Sequence, residues 1–252
     1  MDMIQNFYDS LASKYDKLFF DWQATMQEQS LILDKLFKDN GYDNNSLILD
    51  CACGIGTQAI GLASMGYNIT ASDISNLELK EAKRRAINNN VKICFENADF
   101  RELSKSFSKK FNIIIAMDNA LPHMLSKTDL EIAVNSITNQ LDSGGMFVAS
   151  IRDYDDLLNS KPSHSAPYIH HTRNGQTVSF QTWKWDGERY KFIQYIIEDS
   201  KTLKTSKFEC EYRAVRREEI TNLLLSHGCN SVVWKFPCQT NFYQPIVIAK
   251  KK

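Results

Sequence analysis

The stretch Leu47-Ile48-Leu49-Asp50-Cys51-Ala52-Cys53-Gly54-Ile55-Gly56-Thr57 constrains this chain more than any other. An apolar run ends in an acid, a glycine turn follows, and a helix pattern starts at Thr57. A second apolar run then ends in another acid, Asp73, 19 residues after Gly54. Strand, glycine turn, helix, strand and acid in that order build a nucleoside pocket at the carboxyl end of a parallel sheet.

The rest of the chain continues the alternation. Strands are expected at Leu47–Cys51, Tyr67–Ala71, Val91–Phe95, Phe111–Met117 and Met146–Ile151. Helices are expected at Thr57–Ser64, Leu77–Asn88 and Asp129–Leu141, the last stopped by Ser143-Gly144-Gly145. Continuous apolar strands between amphipathic helices argue for a parallel sheet covered on both faces. Residues 1–45 read as helical, an N-terminal segment closing over the domain that begins at residue 46.

After Arg152 the texture changes. Residues 159–175 are rich in Ser, Pro, Asn and His and read as a loop. Residues 176–215 alternate aromatic and polar positions, with Asp186-Gly187 as a hairpin turn. Together 159–215 read as an antiparallel patch inserted between sheet strands. The alternating pattern resumes with a helix at Arg217–His227 and strands at Ser231–Phe236 and Tyr243–Ala249. The expected fold class is α/β, a Rossmann-like, seven-stranded, mostly parallel sheet with the antiparallel patch over the site.

Charge and cysteine content exclude several classes. Lys+Arg and Asp+Glu both number 30, so no net field draws the chain to nucleic acid or an anionic membrane. The six cysteines form no C-x-x-C pair and suggest no disulfide framework. Asp2 stands at the start instead of a basic then apolar leader, and no apolar run reaches about 18 residues. A cytoplasmic, non-membrane protein is the expectation; assembly into a homo-oligomer is left open.

Gly54-Ile55-Gly56-Thr57-Gln58-Ala59 fits G-x-G-x-x-A, which serves dinucleotides and S-adenosylmethionine (SAM) alike. Asp50 helps separate the two, with a turn or cap role for it left open. A carboxylate beside a pyrophosphate at a helix N-terminus costs about 1–4 kcal/mol at about 4 Å. SAM has no phosphate and carries a sulfonium and an ammonium, both of which favour a nearby acid. Asp73 suits the paired ribose hydroxyls, a two-point contact fitted to a carboxylate.

These residues resemble the nucleotide loop of class I SAM-dependent methyltransferases, and the chain is most similar to the glycine and glycine/sarcosine N-methyltransferase group. Asn97-Ala98-Asp99-Phe100 resembles the segment bracketing the adenine. Ala116-Met117-Asp118-Asn119-Ala120-Leu121-Pro122-His123 resembles a G-N-S-x-x-H-L segment, and Ile151-Arg152-Asp153-Tyr154-Asp155 an R-N-Y-D segment. The resemblance implies a cofactor site of Tyr8, Asp50, Cys53, Gly54, Gly56, Asp73, Ile74, Asp99, Phe100 and Met117. It implies an acceptor site of Asn119, Arg152, Tyr195 and Tyr212, with Arg152 on a substrate carboxylate. Arg152 pairing with Asp153 or Asp155, and both tyrosines serving as core, remain open; His123 is expected to be structural.

Two departures stand out. His170-His171 occupies the place of a tyrosine pair, without the neighbours a metal site needs. No Arg occurs in residues 1–45 to clamp the SAM carboxylate from the N-terminal segment. The implied activity is methyl transfer to a small amine such as glycine or sarcosine. The alternatives are O- or C-methylation of another metabolite, or SAM binding without catalysis.

Overall fold

Neighbouring residues of the central strands are apolar and go to opposite faces, which forces helices onto both. The computed structural model describes residues 3–172, 175–199 and 202–252. Residues 1–2, 173–174 and 200–201, which fall within the expected N-terminal segment and insertion, lie outside the described residues. The helices are α1 (Met3–Leu11), α2 (Trp22–Asp39), α3 (Thr57–Ser64), α4 (Asn76–Asn88), α5 (Lys127–Gln140), α6 (Tyr154–Ser160), α7 (Arg217–Ser226) and α8 (Pro237–Thr240). The strands are β1 (Leu47–Asp50), β2 (Asn68–Asp73), β3 (Cys94–Asn97), β4 (Phe111–Ala116), β5 (Leu141–Ser150), β6 (Tyr168–Thr172), β7 (Gly175–Asp186), β8 (Arg189–Asp199), β9 (Leu203–Arg213), β10 (Cys229–Lys235) and β11 (Ile246–Lys251).

Seven strands form one sheet in the order β10-β11-β5-β4-β1-β2-β3. The pairs from β5 to β3 are parallel; β11 runs antiparallel to β5, and β10 to β11. Leu49, Ile114, Phe147 and Ala149 pack toward α5 and α7, through Leu130, Val134, Ile220 and Leu224. Ile48, Ile113, Ile115 and Val148 pack the other way, against Leu33 and Phe37 of α2 and Ala59 and Leu62 of α3. Each strand residue is therefore committed to one of two apolar layers, and polar groups are left to the strand ends.

The chain runs β1, β2, β3 in one direction and returns through β4 and β5 on the other side of β1. That reversal opens a crevice beyond the carboxyl ends of β1 and β4, where sheets of this kind bind ligands. A second sheet, β6-β7-β8-β9, is antiparallel throughout. Gly187 has φ 60° in the two-residue turn closing β7 onto β8, as the Asp186-Gly187 signal requires. Arg152, just after β5, bonds Tyr190 of β8 and Gln181 of β7, so this sheet meets the crevice.

The segment 159–175 is not simply a loop. It holds the end of α6, strand β6 and a bridge from His164 to Thr182. Its polar composition hides an alternation: His170 is buried and stacks on Phe20 at 5.5 Å, while His171 is exposed. The third strand begins at Cys94 rather than Val91, because Val91 N–H returns to Ala86 O and finishes the helix turn through Asn90 at φ 56°. Among the described residues no helix is long and apolar enough to cross a membrane.

The approach of α2 to α3 turns on Gly61. A Cβ there would stand 2.8 Å from Met26 O and 2.7 Å from Ser30 Cβ. Gly61→Ala gains about 1 kcal/mol in helix propensity. Overpacking against backbone costs about 1–3 kcal/mol and wins. Chemical denaturation is expected to show net destabilisation, and a more stable variant contradicts this packing.

Candidate active site

Two adjoining cavities occupy the crevice, and Tyr8, Tyr15 and Asp118 line both. The first holds about 740 Å³ of empty space, part of it open to solvent. Its floor is the turn after β1. Gly54 has φ 51° and Gly56 φ 89°, conformations that side chains resist. Gly54 N–H donates to Asp73 Oδ2 at 2.8 Å, and Ser75 N–H to Asp73 Oδ1 at 2.9 Å. The acid ending β2 is thereby fixed against the glycine turn, each oxygen keeping a lone pair for a ligand.

Cys53, Gly54, Asp73, Ile74, Asp99, Phe100, Met117 and Tyr8 all line this cavity, as the sequence resemblance implies. Asp99 is partly engaged: both its oxygens accept from the Arg101 guanidinium. Gly56 does not line the cavity; its role is the left-handed start of α3, where a Cβ would meet Ile60 Cδ1 at 2.9 Å.

Asp50 requires a correction. It lies beneath the turn and is absent from the cavity wall. Its Oδ1 accepts from Ala52 N at 3.4 Å, and its Oδ2 has no partner. Burial, against weaker backbone hydrogen bonds, pushes its carboxyl up to about 8, so it is mostly neutral at pH 7. The acidity facing the cavity comes instead from Asp73, Asp99, Asp118 and Glu78.

Glu78 carries no forecast from the sequence. It sits in the first turn of α4, fully buried, with neither carboxylate oxygen bonded. Burial, with Asp73 and Asp9 nearby, raises its pKa well above the ordinary value. A Cβ on Gly54 would come within 2.8 Å of its Oε2, so the glycine makes room for this acid. The available signal was a charged residue beside Leu79, on the face of α4 that also buries Ala82 and Ala86.

The second cavity lies under the antiparallel sheet. Arg152, Asn119 and Tyr212 line it, together with Phe192 and Gln194 of β8. Arg152 donates to Tyr190 Oη at 2.8 Å and Gln181 Oε1 at 3.2 Å, and lies 4.9 Å from the Trp183 ring. Neither Asp153 nor Asp155 neutralises it; both pair with Arg217. Asn119 has φ 72°, and its Oδ1 accepts from Arg152 N–H at 3.1 Å and Tyr154 Oη at 3.0 Å. Its Nδ2 is buried without a partner.

Tyr195 is the other correction. Strand alternation turns Tyr190, Phe192 and Gln194 to the buried face of the sheet and leaves Tyr195 on the opposite one, stacked on Phe180 at 5.0 Å. Tyr190, five residues earlier and on the buried face, is the tyrosine that reaches Arg152. Tyr212 stacks on Tyr190 at 5.5 Å and on His123 at 4.3 Å. His123 Nε2 lies 2.6 Å from Tyr8 Oη, and burial, with Arg152 nearby, lowers its pKa to about 3. A neutral imidazole holding Tyr8 fits the structural role expected of it.

The N-terminal segment is tied across both cavities. Asp9 accepts from Ser75 Oγ at 2.5 Å, Trp22 donates to Thr57 Oγ1 at 2.9 Å, and Lys14 reaches Glu198 Oε2 at 2.8 Å.

Comparison with known proteins agrees with this geometry. Residues 48–145 match a family model described as a methyltransferase domain. The chain is 25% identical over 170 residues to a glycine/sarcosine N-methyltransferase of Aphanothece halophytica, covering 66% of this chain and 63% of that one. It is 27% identical over 126 residues to the glycine N-methyltransferase of Homo sapiens, covering 45% and 43%. The alignments thus span less than two thirds of these relatives' length. A SAM-dependent methyltransferase from Clostridium acetobutylicum superposes with a TM-score of 0.77 at 21% identity, over 97% of this chain and 98% of that one. The CcbJ methyltransferase from Streptomyces caelestis does so at 0.78 and 15%, over 100% and 99%, a likeness of fold.

Two outcomes follow from the buried acids. Glu78→Met removes an unbonded buried carboxyl, and stability without ligand is expected to rise by about 1–3 kcal/mol in urea melts. Burial raises the folded pKa of the Asp50 carboxyl to about 8, well above the ordinary carboxylate range. Its stabilising share is full below about pH 4 and lost as pH rises toward about 8. Wild type should therefore lose stability relative to Asp50→Asn across that window; parallel pH curves would contradict the burial described.

Proposed function

Because this chain belongs to the class I SAM-dependent methyltransferases, we propose that it moves a methyl group from SAM to the amine of a small molecule, an amino acid of the glycine or sarcosine type being the best fit. The carrying observation is the pair of adjoining cavities, one walled by acids behind a glycine turn, the other holding Arg152, which has no carboxylate partner among the described residues.

The first cavity fits the cofactor on its own chemistry. Gly54 in the wall leaves room for the Glu78 carboxyl, and the acids suit a ligand rich in hydroxyls and positive charge. Asp73 would take the ribose hydroxyls, Ile74 and Phe100 would flank the adenine, and Asp99 would receive its amino group. Met117 and Cys53 close the wall, and Tyr8 would cover the bound molecule from the N-terminal segment. When bound, SAM supplies an electrophilic methyl on a sulfonium, which needs no activation by the protein.

The chain's contribution is placement. Arg152 is charged, held by two neutral acceptors and stacked among aromatics, so its fork can take a carboxylate without displacing another acid. Asn119 offers an unbonded amide N–H beside it. Tyr212, Tyr190 and Phe192 exclude water around them. Holding reactants in such a site supplies several kcal/mol, with about 7–11 kcal/mol as an upper range. Strand-end residues on a doubly packed sheet move little, which is what this kind of catalysis requires.

An amine panel scored by S-adenosylhomocysteine release tests the reading. Turnover is expected with amino acids, and Arg152→Ala should lower kcat/KM by about 100-fold for carboxylate-bearing amines, the loss of a bidentate charged contact. Amines lacking a carboxylate should lose far less. Equal losses in both groups would remove Arg152 as the carboxylate anchor. Silence across the panel with retained SAM binding would turn the assignment to O- or C-methylation.

A further inference from the structure

Asp118 stands where the two cavities meet. It follows β4 with φ 55°, and occupies the glycine position of the G-N-S-x-x-H-L segment that Asp118–His123 resembles. Its amide donates to Ser150 Oγ at 2.8 Å. Its Oδ2 accepts from Gln58 Nε2 at 2.8 Å and its Oδ1 from Tyr243 Oη at 2.8 Å. Both partners are neutral donors, so the carboxylate is aimed but not neutralised, and each oxygen keeps a lone pair.

We infer that Asp118 binds the ammonium group of an α-amino-acid acceptor and then takes its proton. The inference rests on the methyltransferase reading and supplies the proton acceptor that reading lacks.

Three observations carry it. The first is position: a group shared by the donor and acceptor cavities touches the place where an amine must stand to reach the methyl. The second is charge complementarity. Asp118 and Arg152 leave the ends of β4 and β5, neighbouring parallel strands about 4.8 Å apart. Asn119 bonds the Arg152 amide and Ser150 bonds the Asp118 amide, so the two charges are stitched together. A zwitterion matches them end for end. The third is environment. Tyr15 from the N-terminal segment, Gln58 from α3, Tyr243 before β11 and the buried Asp50 surround the carboxylate, with His123 and Arg152 in the same cavities. Burial raises its pKa, which brings its basicity closer to that of an amine.

The balance is complete. The acceptor arrives as R–NH3⁺ and gives one proton to the Asp118 carboxylate, leaving a neutral amine and a carboxylic acid. The nitrogen lone pair forms the new N–C bond as the C–S bond breaks, its electron pair staying on sulfur. The product leaves as R–NH2⁺–CH3, and Asp118 returns its proton to water through the open acceptor cavity.

Asp118→Asn and Asp118→Gly both suit a positive φ, so both should fold, which thermal melting checks. Binding of glycine and of glycolate, its hydroxyl analogue, to the protein without SAM is followed by ligand-observed NMR. Wild type is expected to prefer glycine by about tenfold or more, the worth of one ~1.4 kcal/mol contact, and both variants to lose that preference. In turnover, kcat/KM of Asp118→Asn is expected to fall about 100-fold and to climb with pH toward the pKa of the free amine. A glycine preference unchanged in the variants, or absent from wild type, overturns the inference. A preference that Asp118→Asn abolishes, in an enzyme that methylates no amine, upholds the ammonium contact and overturns both the proton transfer and the methyl-transfer reading.

Discussion

A sheet buried on both faces has no room for polar side chains except at its strand ends, and this exclusion organises the molecule. Ile48 and Leu49 face opposite apolar layers, as do Ile113 and Ile114. Asp50 and Asp73 mark the residues where β1 and β2 leave these layers, and Asp118 and Arg152 follow the ends of β4 and β5. Because β1 and β4 part in opposite directions, their ends frame one crevice instead of several. Chemistry concentrates there because a charge within the two apolar layers would go uncompensated.

Within the crevice the acids are held at a cost to the unliganded fold. Glu78 and Asp50 each leave carboxylate oxygens unbonded, and burial raises both pKa values. Glu78, which lines the cavity, is consistent with a site organised around a hydroxyl-rich, positively charged ligand, and with regained hydrogen bonding when that ligand is present. The acceptor side uses the opposite economy: Arg152 has a charge without a matching acid, cushioned by Tyr190, Gln181 and Trp183. Arg152 sets a positive charge in the second cavity opposite Asp118, which both cavities share.

The glycine turn, the strand acids and the class of the fold were legible because each is local. A strand of Leu, Ile and Leu, then Gly54 and Gly56, then an acid 19 residues on, carries its own conformation. Tyr195 was misread because a strand's facing depends on register, and a shift of one residue exchanges the faces. Only the pairing of Trp185 with Tyr190 and of Tyr190 with Tyr212 shows which side of β8 meets the cleft. Glu78 went unseen for a related reason: a charged residue in a helix is ordinarily solvated, and only the close approach of Gly54 buries it.

The sequence by itself determined the α/β class, the nucleoside loop and the placement of Asp73, Asn119 and Arg152 at strand ends. Those follow from period, turn chemistry and the order of elements, which are properties of neighbours in the chain. The tertiary structure decided which acid faces the ligand, which tyrosine holds Arg152, and that Asp118 stands between the two cavities. Those depend on burial and on contacts between residues far apart in sequence, such as Asp118 with Tyr243 and Arg152 with Tyr190. The low dielectric that raises a carboxyl's pKa is made by the whole fold, and no local pattern records it.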